Sequence, residues 1–105
     1  MRGSLDLMAL ALLAEQPLYG YLIQKRLREV SDGMVRLQAG TLYPLLHRLE
    51  SDGAIRSKWD KRGDRERKWY ELTAAGRRRL NRQAGQWHQY VQCVRQLLPP
   101  EVMPT

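Results

Sequence analysis

At Gly53 the apolar residues of this chain change their spacing, and that switch limits the fold more than any other feature. Before it, Leu42, Leu45, Leu46 and Leu49 recur at i, i+3, i+4 and i+7, the stripe of a helix with one face on a core. After it, Ile55, Ser57 and Trp59 alternate with Arg56 and Lys58. Beyond a polar segment around Gly63, Tyr70 and Leu72 alternate with Trp69 and Glu71. Two period-2 runs around a Gly-containing loop predict a β-hairpin.

The flanking sequence predicts helices. Ser4 is placed to cap one over 5–16, ended by Pro17, which disfavours helix in the residue before it. Leu5, Leu7, Met8, Leu10, Leu12 and Leu13 leave this helix little polar surface, so one side packs on the core and the other needs a different partner. A second helix over 19–30 carries Ile23, Leu27 and Val30 on one face and stops at Ser31-Asp32-Gly33, with Gly33 as the left-handed residue. A short extended piece over 35–37 leads to the third, leucine-striped helix over 39–52. Pro44 is placed in its first turn, where a missing N–H has no intrahelical partner. Thr73 caps a last helix over 74–98, halted by Pro99-Pro100, in which Gly76 and Gly85 each cost about 1 kcal/mol relative to Ala. The order is that of a winged helix-turn-helix: mainly α with a small β-hairpin. It divides into a DNA-binding unit over 1–73, a dimerisation helix over 74–98 and a flexible tail over 99–105.

Charge narrows the partners. In 105 residues, enough for one domain, 18 Lys and Arg face 11 acids, a net charge of +7 that attracts polyanions. Nucleic acid leads, with an anionic membrane surface second. The apolar stretch 5–14 is interrupted by Asp6, closed by Glu15 and too short to span a bilayer. The single Cys93 suits a reduced, cytoplasmic protein. His47, His88 and Cys93 lack ligand or nucleophile spacing, and no paired carboxylates, phosphate-binding glycine loop or CxxC occurs. The expectation is no catalytic residue, no metal and no cofactor.

With the leucine stripe on the core, Thr41, Tyr43, Pro44, His47 and Arg48 face outward from the third helix, the side that a helix-turn-helix puts into the major groove. Thr41 and Tyr43 can donate to phosphates, while His47 and Arg48 can reach base edges or backbone. The helix dipole favours a phosphate at that end. The alternative is that Tyr43 and His47 merely face solvent. Between Lys58 and Lys68, six bases and three acids leave a net +3. Lys61, Arg62, Arg65 and Arg67 are the candidates for gripping phosphate or probing the minor groove, against the alternative of a charged tip that serves solubility. Arg77, Arg78, Arg79 and Arg82 spread around the helix axis and read as a solvated surface.

The last helix suggests a second copy. Leu80, Ala84, Trp87, Val91, Val94 and Leu98 form a heptad-like seam, widened by Tyr90 and Leu97. Leu5, Met8 and Leu12 of the first helix are expected to join this interface. A rod of roughly 37 Å would protrude from a lone subunit. A two-fold dimer would set two recognition helices ~34 Å apart on double-stranded DNA with a pseudo-palindromic operator.

The segments LDLMALALLAEQPLYGY, AGTLYPLLHRLESDGAI and RKWYELTAAG resemble the PadR family of bacterial transcription regulators over nearly the whole chain. The resemblance is to the short branch with a single C-terminal dimerisation helix. It implies a dimeric repressor of transporter, detoxification or stress genes, with release by a small molecule in some members. It adds Tyr19 and Tyr21 to the DNA surface. Tyr19 stands where many members have His. It also places Trp87 near the position of a Trp that faces its symmetry mate across a central pore, so Trp87 is either a site for a small aromatic effector or simply dimer core. A winged-helix protein-interaction module that does not bind DNA is the competing reading. It calls for an acidic or apolar outer face on the third helix and an uncharged wing, the opposite of what stands here.

Overall fold

The four leucines of the stripe are each 3% exposed or less and form the centre of the core. The computed structural model describes residues 4–63 and 65–100, without the side chain of Arg62; residues 101–105 of the expected tail lie outside the described residues. The elements are α1 (Ser4–Glu15), β1 (Leu18–Tyr19), α2 (Gly20–Val30), α3 (Ala39–Ser51), β2 (Ile55–Arg62), β3 (Arg65–Leu72) and α4 (Ala74–Leu97). Ala9, Leu10 and Leu13 of α1, Ile23 and Leu27 of α2, and Leu18, Ile55 and Tyr70 of the sheet close around the α3 leucines.

Several expectations are refined. The hairpin forms, with Ile55 opposite Leu72 and Trp59 opposite Lys68, but it belongs to a three-stranded antiparallel sheet of order β1-β3-β2. The added strand is short: Leu18 pairs with Tyr70 and Tyr19 with Trp69. Pro17 forces an extended entry, and burial of Leu18 holds it, so Tyr19 lies on a strand and not in the helix that follows. Neighbours Trp69 and Tyr70 are both buried, Tyr70 in the core and Trp69 on the other face, where the Tyr19 ring packs edge-on against it. Ser4 is the first described residue of α1.

Pro44 is not in the first turn. It is the sixth residue of α3, so the Gly40 carbonyl loses its i+4 donor; Gly40 lies at the surface, where water can replace that bond. Leu12 is corrected as well: at 7% exposure it belongs to the subunit's own core and offers no surface for a second copy. Leu5, Met8 and Leu80 pack half-buried against the same core.

The segment between α2 and α3 is braced by its own polar groups. Gly33 has φ +82° and donates its N–H to Arg28 O at 2.8 Å, closing the end of α2 in the left-handed conformation that glycine adopts without strain. Ser31 Oγ accepts from the Val35 N–H at 2.8 Å, and Gln24 Nε2 donates to Leu37 O at 2.9 Å. Thr73 caps α4 as its sequence position indicates, its Oγ1 accepting from Gly76 N at 3.0 Å.

Candidate nucleic-acid interface

Because the leucines occupy one side of α3, the opposite side is left to solvent. Thr41, Tyr43, Pro44, His47 and Arg48 are all exposed there, Tyr43 at 48%. Tyr43 lies across the first residue of α2: a methyl on Gly20 would stand 2.4 Å from Tyr43 Oη. Only a glycine lets the ring occupy that position. The start of α2, the face of α3 and the wing thus meet in one open cleft of about 470 Å³.

Tyr19, Tyr21, Tyr43, Arg65 and Arg67, five of the side chains singled out in the sequence, line this cleft together. Tyr19 packs edge-on against Trp69 with ring centroids 4.9 Å apart, and the Arg67 guanidinium lies over the Tyr19 ring at 4.6 Å. Arg67 is therefore held beside the cleft rather than free in solvent. Lys61 is exposed on β2, nearer the hairpin tip. Thr41, Pro44 and Arg48 line a second opening, between α3 and the start of α1.

Arg48 has a further role that its position on the helix conceals. Its Nη2 donates to Asp6 Oδ1 at 2.6 Å, and Arg79 Nη2 of α4 donates to Asp6 Oδ2 at 3.0 Å. Arg79 Nη1 also reaches Asp52 Oδ2 at 3.1 Å. The arginine cluster of α4 is thus not wholly a solvated surface, since Arg79 is a cross-link between helices. Sequence periodicity cannot show this, because the partners are 73 and 27 residues away.

The wing is fixed to α3 by Glu50. Ser57 Oγ donates to Glu50 Oε2 at 2.5 Å, and Lys68 Nζ lies 3.9 Å from Glu50 Oε1. Burial pushes the Tyr70 hydroxyl pKa up, and the charges of Glu50 and Tyr43 push it the same way. On the outer face of the sheet, a hydrogen bond from Arg56 lowers the Glu71 carboxyl. Sequence reading passed over Trp59, Lys68 and Tyr70, which also line the cleft. Trp59 was legible as an inward position of β2. Only the structure shows that the strand has by then run past the body of the protein, leaving this residue 65% exposed.

Among the described residues, no group of three His, Cys, Asp or Glu side chains is placed to hold a metal ion, and no helix is long and apolar enough to cross a membrane. A leucine-packed third helix with an exposed face beside a cationic hairpin defines a winged helix-turn-helix of the kind found in transcription regulators. The profile of the transcriptional regulator PadR-like family matches residues 9–82, and the chain belongs to that family. A PadR family transcriptional regulator from Eggerthella lenta is similar in structure at TM-score 0.78 and 41% identity, over 94% of this chain and 85% of that one. A transcriptional regulator from Clostridium thermocellum gives TM-score 0.85 at 28% identity, over 93% and 96%. Bacillus subtilis PadR in complex with operator DNA gives TM-score 0.69 at 28% identity, over 77% of this chain and 46% of that one.

Proposed function

We propose that this protein is a homodimeric, sequence-specific DNA-binding repressor that acts in the cytoplasm on a pseudo-palindromic operator. One observation carries the reading: the α3 face opposite the leucine stripe opens, through Tyr43, into the same cleft as Arg65 and Arg67 of the wing. A duplex presents phosphates on both sides of its major groove, so a helix and a cationic wing held at a fixed offset match its shape and its charge. The operator-bound Bacillus subtilis relative supports the same use of the fold. Thr41, Pro44, His47, Arg48, Tyr21 and Lys61 would complete the DNA surface, together with Arg62.

The long dimension of 53 Å against 28 and 23 Å supports the dimer, since the far end of α4 stands clear of the body. There Trp87, Tyr90, Leu97 and Leu98 are 37, 51, 78 and 42% exposed, and Val91 and Val94 complete the seam. Trp87 and Tyr90 stack with centroids 6.0 Å apart, giving a flat aromatic surface for a second copy or for a small aromatic effector that releases the operon, a transporter, detoxification or stress gene set.

The test is a mobility shift on the duplex upstream of the protein's own coding region, against a scrambled duplex at 150 mM salt. Nanomolar preference for the upstream duplex, weakened by Tyr43→Ala and by Arg65→Ala, is expected; equal affinity for the two duplexes refutes sequence-specific function. Sedimentation should give twice the chain mass for the wild type and a monomer for Trp87→Asp. An unchanged dimer in that variant refutes the interface.

A further inference from the structure

We infer that the cleft between α3 and the wing is the seat of one sugar–phosphate strand, and that the Trp59 indole packs against its deoxyribose. The inference rests on the DNA-binding reading and names the part of the duplex that this surface takes.

In B-form DNA the major and minor grooves are separated by a single backbone strand. A protein that places a helix in one groove and a hairpin in the next must straddle that strand, and the space between helix and hairpin is where the strand runs. Here that space has a consistent chemistry. Arg65, Arg67 and Lys68 supply positive charge that outnumbers the single lining carboxylate, Glu66, while Tyr21 and Tyr43 supply hydroxyl donors and Trp59 the broad apolar surface. Phosphates alternate with sugars along the strand, so donors and cations mixed with one flat apolar face match its repeat better than they match a base edge. The fixed offset of the two walls, set by Ser57 and Lys68 on Glu50, keeps the cleft open before DNA arrives.

Trp59 itself argues for an occupant. It is 65% exposed although its chain neighbours on the same face of β2, Ser57 and Ile55, turn toward the body. It stands opposite Lys68, two pairs beyond the Ser57–Tyr70 pair that closes the core and the next pair on that face. An indole there contributes nothing to the core of this subunit, and an apolar face kept beside Lys68, in a cleft that Arg65 and Arg67 line from the other side of the strand, is matched by a ligand that is anionic and apolar in alternation.

A sugar contact carries no sequence information and releases no counterion. Trp59→Ala is therefore expected to weaken binding by about tenfold, ~1.4 kcal/mol, on upstream and scrambled duplexes alike. The slope of log affinity against log salt should stay at the wild-type value. Arg65→Ala, in contrast, should lower that slope by about 0.9. Trp59→Phe should restore most of the affinity. Added duplex should also quench a part of the tryptophan emission that is missing in Trp59→Phe, where Trp69 and Trp87 remain. Thermal melts of each variant show that the fold is kept, since an exposed side chain is replaced. Wild-type affinity in a folded Trp59→Ala variant overturns this inference alone. So does a loss confined to one duplex sequence, which would make Trp59 a reader of bases. A wild-type protein that binds no duplex at low salt overturns the DNA reading and this inference together.

Discussion

The same substitution, glycine to alanine, should have opposite effects at two positions of α4. At Gly85 a methyl would meet nothing within 4 Å, so Gly85→Ala returns only the helix preference of alanine, a gain of about 1 kcal/mol. At Gly76 the methyl would stand 1.9 Å from Ala54 O and 2.8 Å from Leu72 Cδ1. A carbon–oxygen contact settles near ~3.3 Å, so α4 must retreat from the α3–β2 junction by more than about 1 Å. That retreat pulls on the bonds that seat the helix. Thr73 N donates to Ala54 O at 3.1 Å, and Thr73 Oγ1 lies 2.6 Å from Gly53 O while capping Gly76 N.

Overpacking of this kind costs roughly 1–3 kcal/mol, and each weakened hydrogen bond about 0.5–1.5 kcal/mol more. Set against the gain of about 1 kcal/mol in helix preference, Gly76→Ala should lose about 2 kcal/mol net. Thermal melts at one protein concentration read both variants, with sedimentation confirming an unchanged oligomer. For a domain of this size the midpoint temperature should fall by about 10 °C for Gly76→Ala and rise by about 4–8 °C for Gly85→Ala. If Gly76→Ala is as stable as the wild type, or if both variants move in one direction, then the close approach at Ala54 does not exist as described and the reasoning fails.

Two further outcomes follow from the cleft. Gly20→Ala should weaken DNA binding to the level of Tyr43→Ala, because the new methyl displaces the Tyr43 ring; the double variant should be no worse than either alone, and additive losses would show that Gly20 acts elsewhere. Tyr70 should make the fold sensitive to alkali. Its hydroxyl ionises above its ordinary value of 10.0 when buried, so the unfolded chain releases that proton first. The associated stability is present below pH 10.0 and is lost as pH climbs through the raised value. Melts from about pH 8 to 11.5 should show a shallower alkaline decline in Tyr70→Phe, and parallel declines would refute the assignment.

The helices and the hairpin were legible because each is written in local spacing. The Leu42–Leu49 stripe dictates which side of α3 is buried, and with it that Thr41, Tyr43, Pro44, His47 and Arg48 are left outside. What escaped was decided at long range. Strand β1 is two residues long, too short for any alternation to register, and exists because Leu18 finds β3. Leu12 looked available to a second copy because every side of α1 is apolar, and only packing shows which side the subunit keeps for itself. Gly76 read as a weak point of α4, whereas it is the residue that lets the helix come within contact of Ala54. Periodicity places a side chain on a face; it does not tell what stands opposite.

Asp6 shows what such a partner can do. A carboxylate buried in an apolar helix is costly unless it is paired, and a leucine there would have continued the pattern around it. Its two oxygens are taken by arginines from different helices, Arg48 of α3 and Arg79 of α4. With side chains 11 and 22% exposed, the Asp6–Arg79 pair is the better shielded of the two; Arg48, at 55%, adds orientation more than energy. Arg79 then reaches the end of α3 through Asp52. The C-terminal end of α3 is thereby tied to α4 twice, directly through Asp52 and by way of Asp6 through Arg48. In the proposed dimer the crossing of two α4 helices sets the distance between two α3 helices. Arg79, the residue that carries this tie, stands eight residues or ~12 Å along the rod from Trp87, so the seam and α3 share one helix as their frame.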